Sequence, residues 1–139
     1  MENAVCFLVD DDEDDRDIFI MALESADDSY SCITAKNGLD AIHQIDANPD
    51  FIPNFIFIDL NMPYMSGKEC LQQIKQKSHL AHIPVIMYTT SSYNKDVEET
   101  KQLGASHFLV KPPGLNSLTK MLRDILKGEN VPYYLYTED

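Results

Sequence analysis

Basic residues are scarce in this chain. Eleven lysines and arginines stand against 23 aspartates and glutamates, giving a formal net charge of −12. A nucleic-acid surface needs a basic footprint, so that class of partner is excluded. Long apolar runs are also missing, and nothing approaches the roughly 20 residues of a membrane-crossing helix. Residues 5–9 (VCFLV) are too short for a secretory leader and run directly into acid. The three cysteines, Cys6, Cys32 and Cys70, are odd in number and lack paired spacing. Neither a disulfide framework nor a zinc site is expected from them, and each reads as a small buried hydrophobe. His43, His79, His82 and His107 have no ligand spacing and read as surface or boundary residues. There is no internal repeat or low-complexity segment. The expected setting is a reducing, cytoplasmic one.

At 139 residues and 44% apolar, the chain suits one domain with a single core. That core is expected over about residues 4–128, with a tail at 129–139. The chain is organised around residues 55–63 (FIFIDLNMP), where four apolar residues end abruptly at Asp59 and turn formers follow. A short run rich in branched and aromatic residues reads as a fully buried strand. Similar runs lie at residues 5–9, 31–35 (SCITA), 85–88 (VIMY) and 107–110 (HFLV).

Helical spacing fills the intervals. Ile18, Met21, Ala22 and Ser25 share one face, and Asn37-Gly38 reads as a turn. A stripe of Leu39, Ile42 and Ile45 follows, stopping near Asn48-Pro49. Residues 68–77 place Leu71 and Ile74 inward. Residues 96–103 are weakly amphipathic and end at Gly104, positioned for a left-handed conformation. Leu115, Leu118, Leu122 and Ile125 mark the last helix. Strands alternating with helices predict an α/β fold: a doubly wound, five-stranded parallel sheet with flavodoxin-like order 2-1-3-4-5.

In such a sheet, chemistry gathers at the carboxyl ends of the strands. Strand one delivers Asp10 and Asp11 there, strand three Asp59, strand four Thr89 and strand five Lys111. Carboxylates crowded together repel one another. Hard oxygen ligands suit Mg2+, which takes one or two carboxylates together with waters and phosphate oxygens. Positioning plus neutralisation of oxygen charge is the logic of phosphoryl transfer, and a carboxylate can serve as the nucleophile.

Four pieces of sequence now fall at strand ends in order: VDD at residues 9–11, DLNMPYMSG at 59–67, the Thr89 after PVIMY, and LVKP at 109–112. On these the chain resembles the receiver domain of two-component response regulators, most closely the stand-alone kind, over about residues 4–128. The resemblance implies that Asp59 accepts a phosphoryl group from a histidine of a sensor kinase or a histidine phosphotransfer protein. It implies Mg2+ held by Asp10, Asp11, Asp59 and the Asn61 backbone carbonyl. Lys111 would contact the phosphoryl oxygens, and Thr89 would turn inward to hydrogen-bond them. Phe108 stands at the switch aromatic, with plain core packing as its other reading. The Lys111-Pro112 peptide is expected to be cis. A downstream protein would read the face made by helix four, strand five and helix five. Residues 91–98 (SSYNKDVE) and the tail resemble the small receivers paired with phytochrome-type or other hybrid kinases.

Two residues depart from the usual pattern. Thr90 stands where a smaller residue is common and could narrow access. Pro113 stands where an aromatic is common. Rival classes fit less well. An Mg2+-dependent phosphohydrolase with an Asp nucleophile carries a second acid two residues on, where this chain has Asn61. A flavodoxin-type cofactor binder needs a glycine- and hydroxyl-rich phosphate loop after strand one, and residues 10–15 (DDDEDD) would repel a phosphate. A binding module that is never phosphorylated would not require the acids, Thr89 and Lys111 together. The acids at residues 12–15 read as a helix start that offsets the macrodipole. The tail, with Tyr133, Tyr134 and Tyr136, reads either as a fold-back onto the body or as a contact with a partner or a second copy of the chain.

Overall fold

Continuous apolar runs become strands here because both sheet faces are covered. A computed structural model describes residues 4–128 and 131–137. In chain order the elements are β1 (Ala4–Val9), α1 (Glu13–Ala26), β2 (Tyr30–Ala35), α2 (Gly38–Ala47), β3 (Phe55–Ile58) and α3 (Gly67–Gln76). There follow β4 (Val85–Thr89), α4 (Asn94–Gln102), β5 (His107–Val110), α5 (Leu115–Lys127) and β6 (Tyr134–Leu135). All strands pair in parallel, in the order β2-β1-β3-β4-β5-β6. The flavodoxin-like order is as expected, with one addition: the tail folds back and adds β6 beside β5.

Side chains alternate across each strand and divide the core into two layers. Phe7, Val9, Ile56, Ile58, Val85, Met87 and Phe108 pack beneath α2, α3 and α4. Cys6, Leu8, Phe57, Ile86, Tyr88 and Leu109 pack beneath α1 and α5. Burying one large aliphatic or aromatic side chain contributes about 1.5–3 kcal/mol, and the central strands β1, β3 and β4 bury them on both faces.

Local signals start the helices. Asp12 caps α1 by accepting from the Asp15 N–H at 3.0 Å. Asn37, read above as a turn residue, caps α2 by accepting from the Asp40 N–H at 2.8 Å. Ser66 caps α3 by accepting from the Glu69 N–H at 3.2 Å, and its hydroxyl donates to Glu69 Oε1 at 3.2 Å. Gly104 (φ 101°) and Gly128 (φ 69°) follow α4 and α5 in left-handed conformations that suit glycine.

Two expected helix faces and one expected burial are corrected. α1 turns Phe19, Ala22 and Leu23 inward, leaving Ile18 and Met21 exposed. Its sequence is apolar around much of its circumference, and Phe19 decides the matter by packing edge-on against Phe57 and Tyr88. In α2, Ala41 and Ile45 are buried while Leu39 is exposed. Cys32 is only half-buried, because β2 is an edge strand. α3 buries Leu71 and Ile74, and α5 buries Leu118, Leu122 and Ile125, as their stripes predict. No peptide bond among the described residues is cis, so Lys111-Pro112 is trans, contrary to expectation. Trans is the intrinsically favoured form even before proline.

Candidate functional site

The sheet's carboxyl edge is drawn together by backbone hydrogen bonds that continue the ladders past the strand ends. The Asp59 N–H donates to the Val9 carbonyl at 2.9 Å, the Asp10 N–H to Ala35 at 3.1 Å, and the Lys111 N–H to Thr89 at 2.7 Å. Asp10, Asp59, Thr89 and Lys111 therefore leave the sheet at one level. Oxygens of Asp10, Asp11 and Asp59 lie within 4.8 Å of one another. Asp10, Asp59 and Thr89 are buried, whereas Asp11 is exposed and opens the cluster to solvent.

The loop after β3 is shaped to hold Asp59. The Gly67 N–H donates to the Leu60 carbonyl at 2.8 Å. A Cβ at Gly67 would fall onto the Asp59 carbonyl oxygen and within 2.6 Å of the Leu60 Cα, so only glycine fits this approach. Tyr64, 82% exposed, sits in the left-handed region at φ 70°. That conformation is costly for an aromatic residue. The Asn61 N–H donates to Asp59 Oδ1 at 3.3 Å, which places the Asn61 backbone beside the carboxylate.

Lys111 is the cationic centre. Its Nζ lies 2.8 Å from Asp15 Oδ2, 2.9 Å from Asp10 Oδ2 and 3.3 Å from Asp59 Oδ2. It also stands 5.0 Å from the centre of the Tyr88 ring. Burial alone would depress its ammonium, but the hydrogen bond it donates to Asp15 and the nearby Asp10 and Asp59 charges outweigh this and hold it above the usual lysine range. Asp59 is pushed up to about 6, chiefly by burial, with Lys111 opposing and Asp10 reinforcing the rise. Burial raises Asp10 as well, against the Asp12 N–H and Lys111.

Asp15 is a site residue that sequence reasoning missed. Its only signal is its place on the first turn of the helix that follows Asp10 and Asp11. The Thr89 hydroxyl accepts from the Ser91 N–H at 3.2 Å. Phe108 is fully buried, with its ring 6.0 Å from that of Tyr134. A surface hollow lined by Ile33, Gln44 and Phe51 among others lies elsewhere and shares no residue with this cluster.

The cluster fits a divalent cation. Three aspartates contact one ammonium and a fourth, Asp11, joins the cluster, leaving an excess of negative charge. Asp10 Oδ2 is buried and has no aligned hydrogen-bond partner, despite its 2.9 Å approach to Lys111. Such an oxygen suits a metal ligand, and an all-oxygen donor set suits a hard cation.

Comparison with known proteins agrees with this geometry. The chain is 32% identical over 125 residues to the response regulator Rcp1 of Synechocystis sp. PCC 6803, covering 87% of this chain and 85% of that protein. A crystal structure of the Mn2+-bound form of response regulator Rcp1 superposes with a TM-score of 0.78 at 30% identity, covering 94% of this chain and 98% of that one. The phosphorylated cyanobacterial phytochrome response regulator RcpA superposes with a TM-score of 0.81 at 27% identity, covering 91% and 93%. The defining pattern of the response regulator receiver domain matches residues 6–123, and it is to this family that the chain belongs.

Proposed function

We propose that this chain is a phosphoryl-accepting switch with Asp59 as the acceptor. Lys111 carries the reading: a largely buried ammonium shared among Asp59, Asp10 and Asp15 at the open end of a parallel sheet. A carboxylate oxygen of Asp59 attacks the phosphorus of a phosphohistidine presented by a sensor histidine kinase or a histidine phosphotransfer protein. The new P–O bond forms as the P–N bond breaks, and the imidazole leaves with the bonding pair and takes up a proton. Asp10, Asp11, Asp59 and the Asn61 carbonyl would hold Mg2+, which neutralises charge on the phosphoryl oxygens. Lys111 supplies a second positive charge on the same oxygens. Asn61 offers no carboxylic acid to assist hydrolysis, which favours an adduct that accumulates over a turnover enzyme.

Phosphorylation of Asp59 would move its charge partnership with Lys111 onto the phosphoryl oxygens and give the Thr89 hydroxyl a new acceptor. Differential contacts of this kind shift a two-state equilibrium. The face available for readout comprises α4, β5 and α5, with β6 now forming part of it. Binding of a target there, or onward relay of the phosphoryl group to another histidine, would be the output. Incubation with Mg2+ and acetyl phosphate, followed by intact mass, tests the reading. A stoichiometric adduct that requires Mg2+ is expected. Rapid, repeated consumption of acetyl phosphate without an adduct would point to a hydrolase.

A further inference from the structure

α4 is held by an unusual set of contacts. Of its nine residues only Val97 and Thr100 are buried, and its N-cap, Tyr93, provides no side-chain hydrogen bond. Apolar burial therefore does little to fix its first turn, and a polar fastener does so instead. Lys68 Nζ donates to Asp96 Oδ1 and to Glu99 Oε2, each at 2.7 Å. The other oxygen of Asp96, Oδ2, accepts from the Ser91 hydroxyl at 3.1 Å. Ser91 in turn donates its backbone N–H to Thr89 Oγ1 at 3.2 Å. Contacts thus run without a gap from Lys68 through Asp96 and Ser91 to the Thr89 hydroxyl.

The far end of this chain of contacts is equally well anchored. Lys68 follows Gly67, which is pressed against the Asp59 carbonyl and cannot be displaced without moving the phosphoacceptor's own backbone. The hydrogen bonds that Lys68 donates to Asp96 and Glu99 hold Lys68 charged and hold both carboxylates ionised. The fastener is therefore fully formed at neutral pH. It spans from the segment after Asp59 to the segment after Thr89, the two loops that flank the site.

We infer that Lys68 is a positioning residue for the phosphoryl site, holding the loop after β4, through Asp96 and Ser91, where the Thr89 hydroxyl faces the Ser91 N–H. Contacts made in only one of two states bias the equilibrium toward that state. Releasing Lys68 frees the loop, makes the inward turn of Thr89 easier, and so speeds acceptance of a phosphoryl group. Lys68 does not touch the reacting atoms and acts only through this line of contacts. The inference rests on the phosphoryl-acceptor reading of Asp59 and Thr89.

The test compares Lys68→Met with the parent chain and with Lys77→Met. Lys77 makes an ion pair of the same 2.7 Å length, to Asp46, but on the opposite end of α3. Two readouts are taken: hydrogen exchange at the Ser91 amide, and the rate of adduct formation with Mg2+ and acetyl phosphate. For Lys68→Met, Ser91 exchange is expected to rise and adduct formation to accelerate, each by about three- to tenfold, the range of a partly exposed ion-pair network. Lys77→Met leaves both unchanged.

Unchanged Ser91 exchange in Lys68→Met would overturn the fastener. Faster exchange with an unchanged adduct rate would overturn its coupling to the site. An equal response in Lys77→Met would reduce the effect to general loosening and overturn it too. If no variant forms an adduct and neither does the parent, the acceptor reading fails, while Ser91 exchange still decides whether Lys68 holds the loop.

Discussion

Lys111 lies closer to Asp15 than to Asp59: its Nζ is 2.8 Å from Asp15 Oδ2 and 3.3 Å from Asp59 Oδ2. The first turn of α1 thus competes for the cation that the proposed phosphoryl group on Asp59 would need. Asp15 is partly exposed, so its hold on Lys111 is moderate. Asp15→Asn is expected to keep the fold and to raise the initial rate of adduct formation by about two- to fivefold, because less energy is needed to redirect Lys111. Initial rates at a fixed acetyl phosphate concentration check this, and a slower rate would assign Asp15 a supporting role instead.

Asp59 gives the stability a defined dependence on pH. Its folded-state pKa lies near 6, above the ordinary value of 3.8. The folded chain therefore binds this proton more tightly than the unfolded chain, and stability from this group is lost as pH rises from about 4 to about 6. Asp59→Asn removes the loss. Without divalent cations the variant should exceed the parent by on the order of 1–3 kcal/mol above that window, and the advantage should vanish below it. Urea titrations across the pH range measure the difference. Added Mg2+ narrows it at neutral pH, because a cation bound to the folded parent stabilises that form.

Gly67 should tolerate no side chain. The added Cβ of Gly67→Ala meets backbone at Asp59 and Leu60, not the yielding tip of a side chain. A loss of roughly 2–4 kcal/mol in urea unfolding is expected, on the scale of overpacking in a rigid setting. Alanine at Gly114, where a Cβ meets nothing within 4 Å, is the matched comparison.

The tail is fastened by a part-buried hydroxyl pair and two contacts to its backbone. Tyr133 Oη and Thr100 Oγ1 lie 2.8 Å apart, the Phe108 N–H donates to the Tyr133 carbonyl at 2.7 Å, and His107 Nδ1 lies 2.8 Å from the Pro132 carbonyl. Tyr133→Phe removes the hydroxyl but keeps the ring under Lys101. It should cost about 1 kcal/mol and raise hydrogen exchange at the Phe108 amide more than at Phe57, which lies in the sheet centre. Equal effects at both positions would mean that the tail does not hold the β5 edge.

How much of this was legible in the sequence follows from where the information sits. Phe55–Ile58 and His107–Val110 announced themselves because a buried parallel strand needs little beyond a short apolar run. Asp10, Asp11, Asp59, Thr89 and Lys111 were legible as a group because each ends such a run, and the topology brings those ends together. Asp15 was not, because its contact is made by a lysine 96 residues away, reaching over α1. The inward face of α1 was misjudged for a related reason: Ile18 and Met21 compete with Phe19 and Leu23 at equally helical spacing, and only the aromatic contacts across the sheet decide. The left-handed Tyr64 and the pairing of Tyr134–Leu135 with β5 are likewise set by tertiary context. The turn around Tyr64 is imposed by the Gly67 approach, and β6 by an edge that was open to receive it.

The central claim is that the phosphoryl group is carried by Asp59. After reaction with acetyl phosphate and Mg2+, borohydride reduces an aspartyl phosphate to homoserine, and peptide mass mapping then locates it. The account predicts homoserine at residue 59 alone, and none when Mg2+ is omitted. Homoserine at Asp10, Asp11 or Asp15, or an adduct that survives in Asp59→Asn, would contradict it.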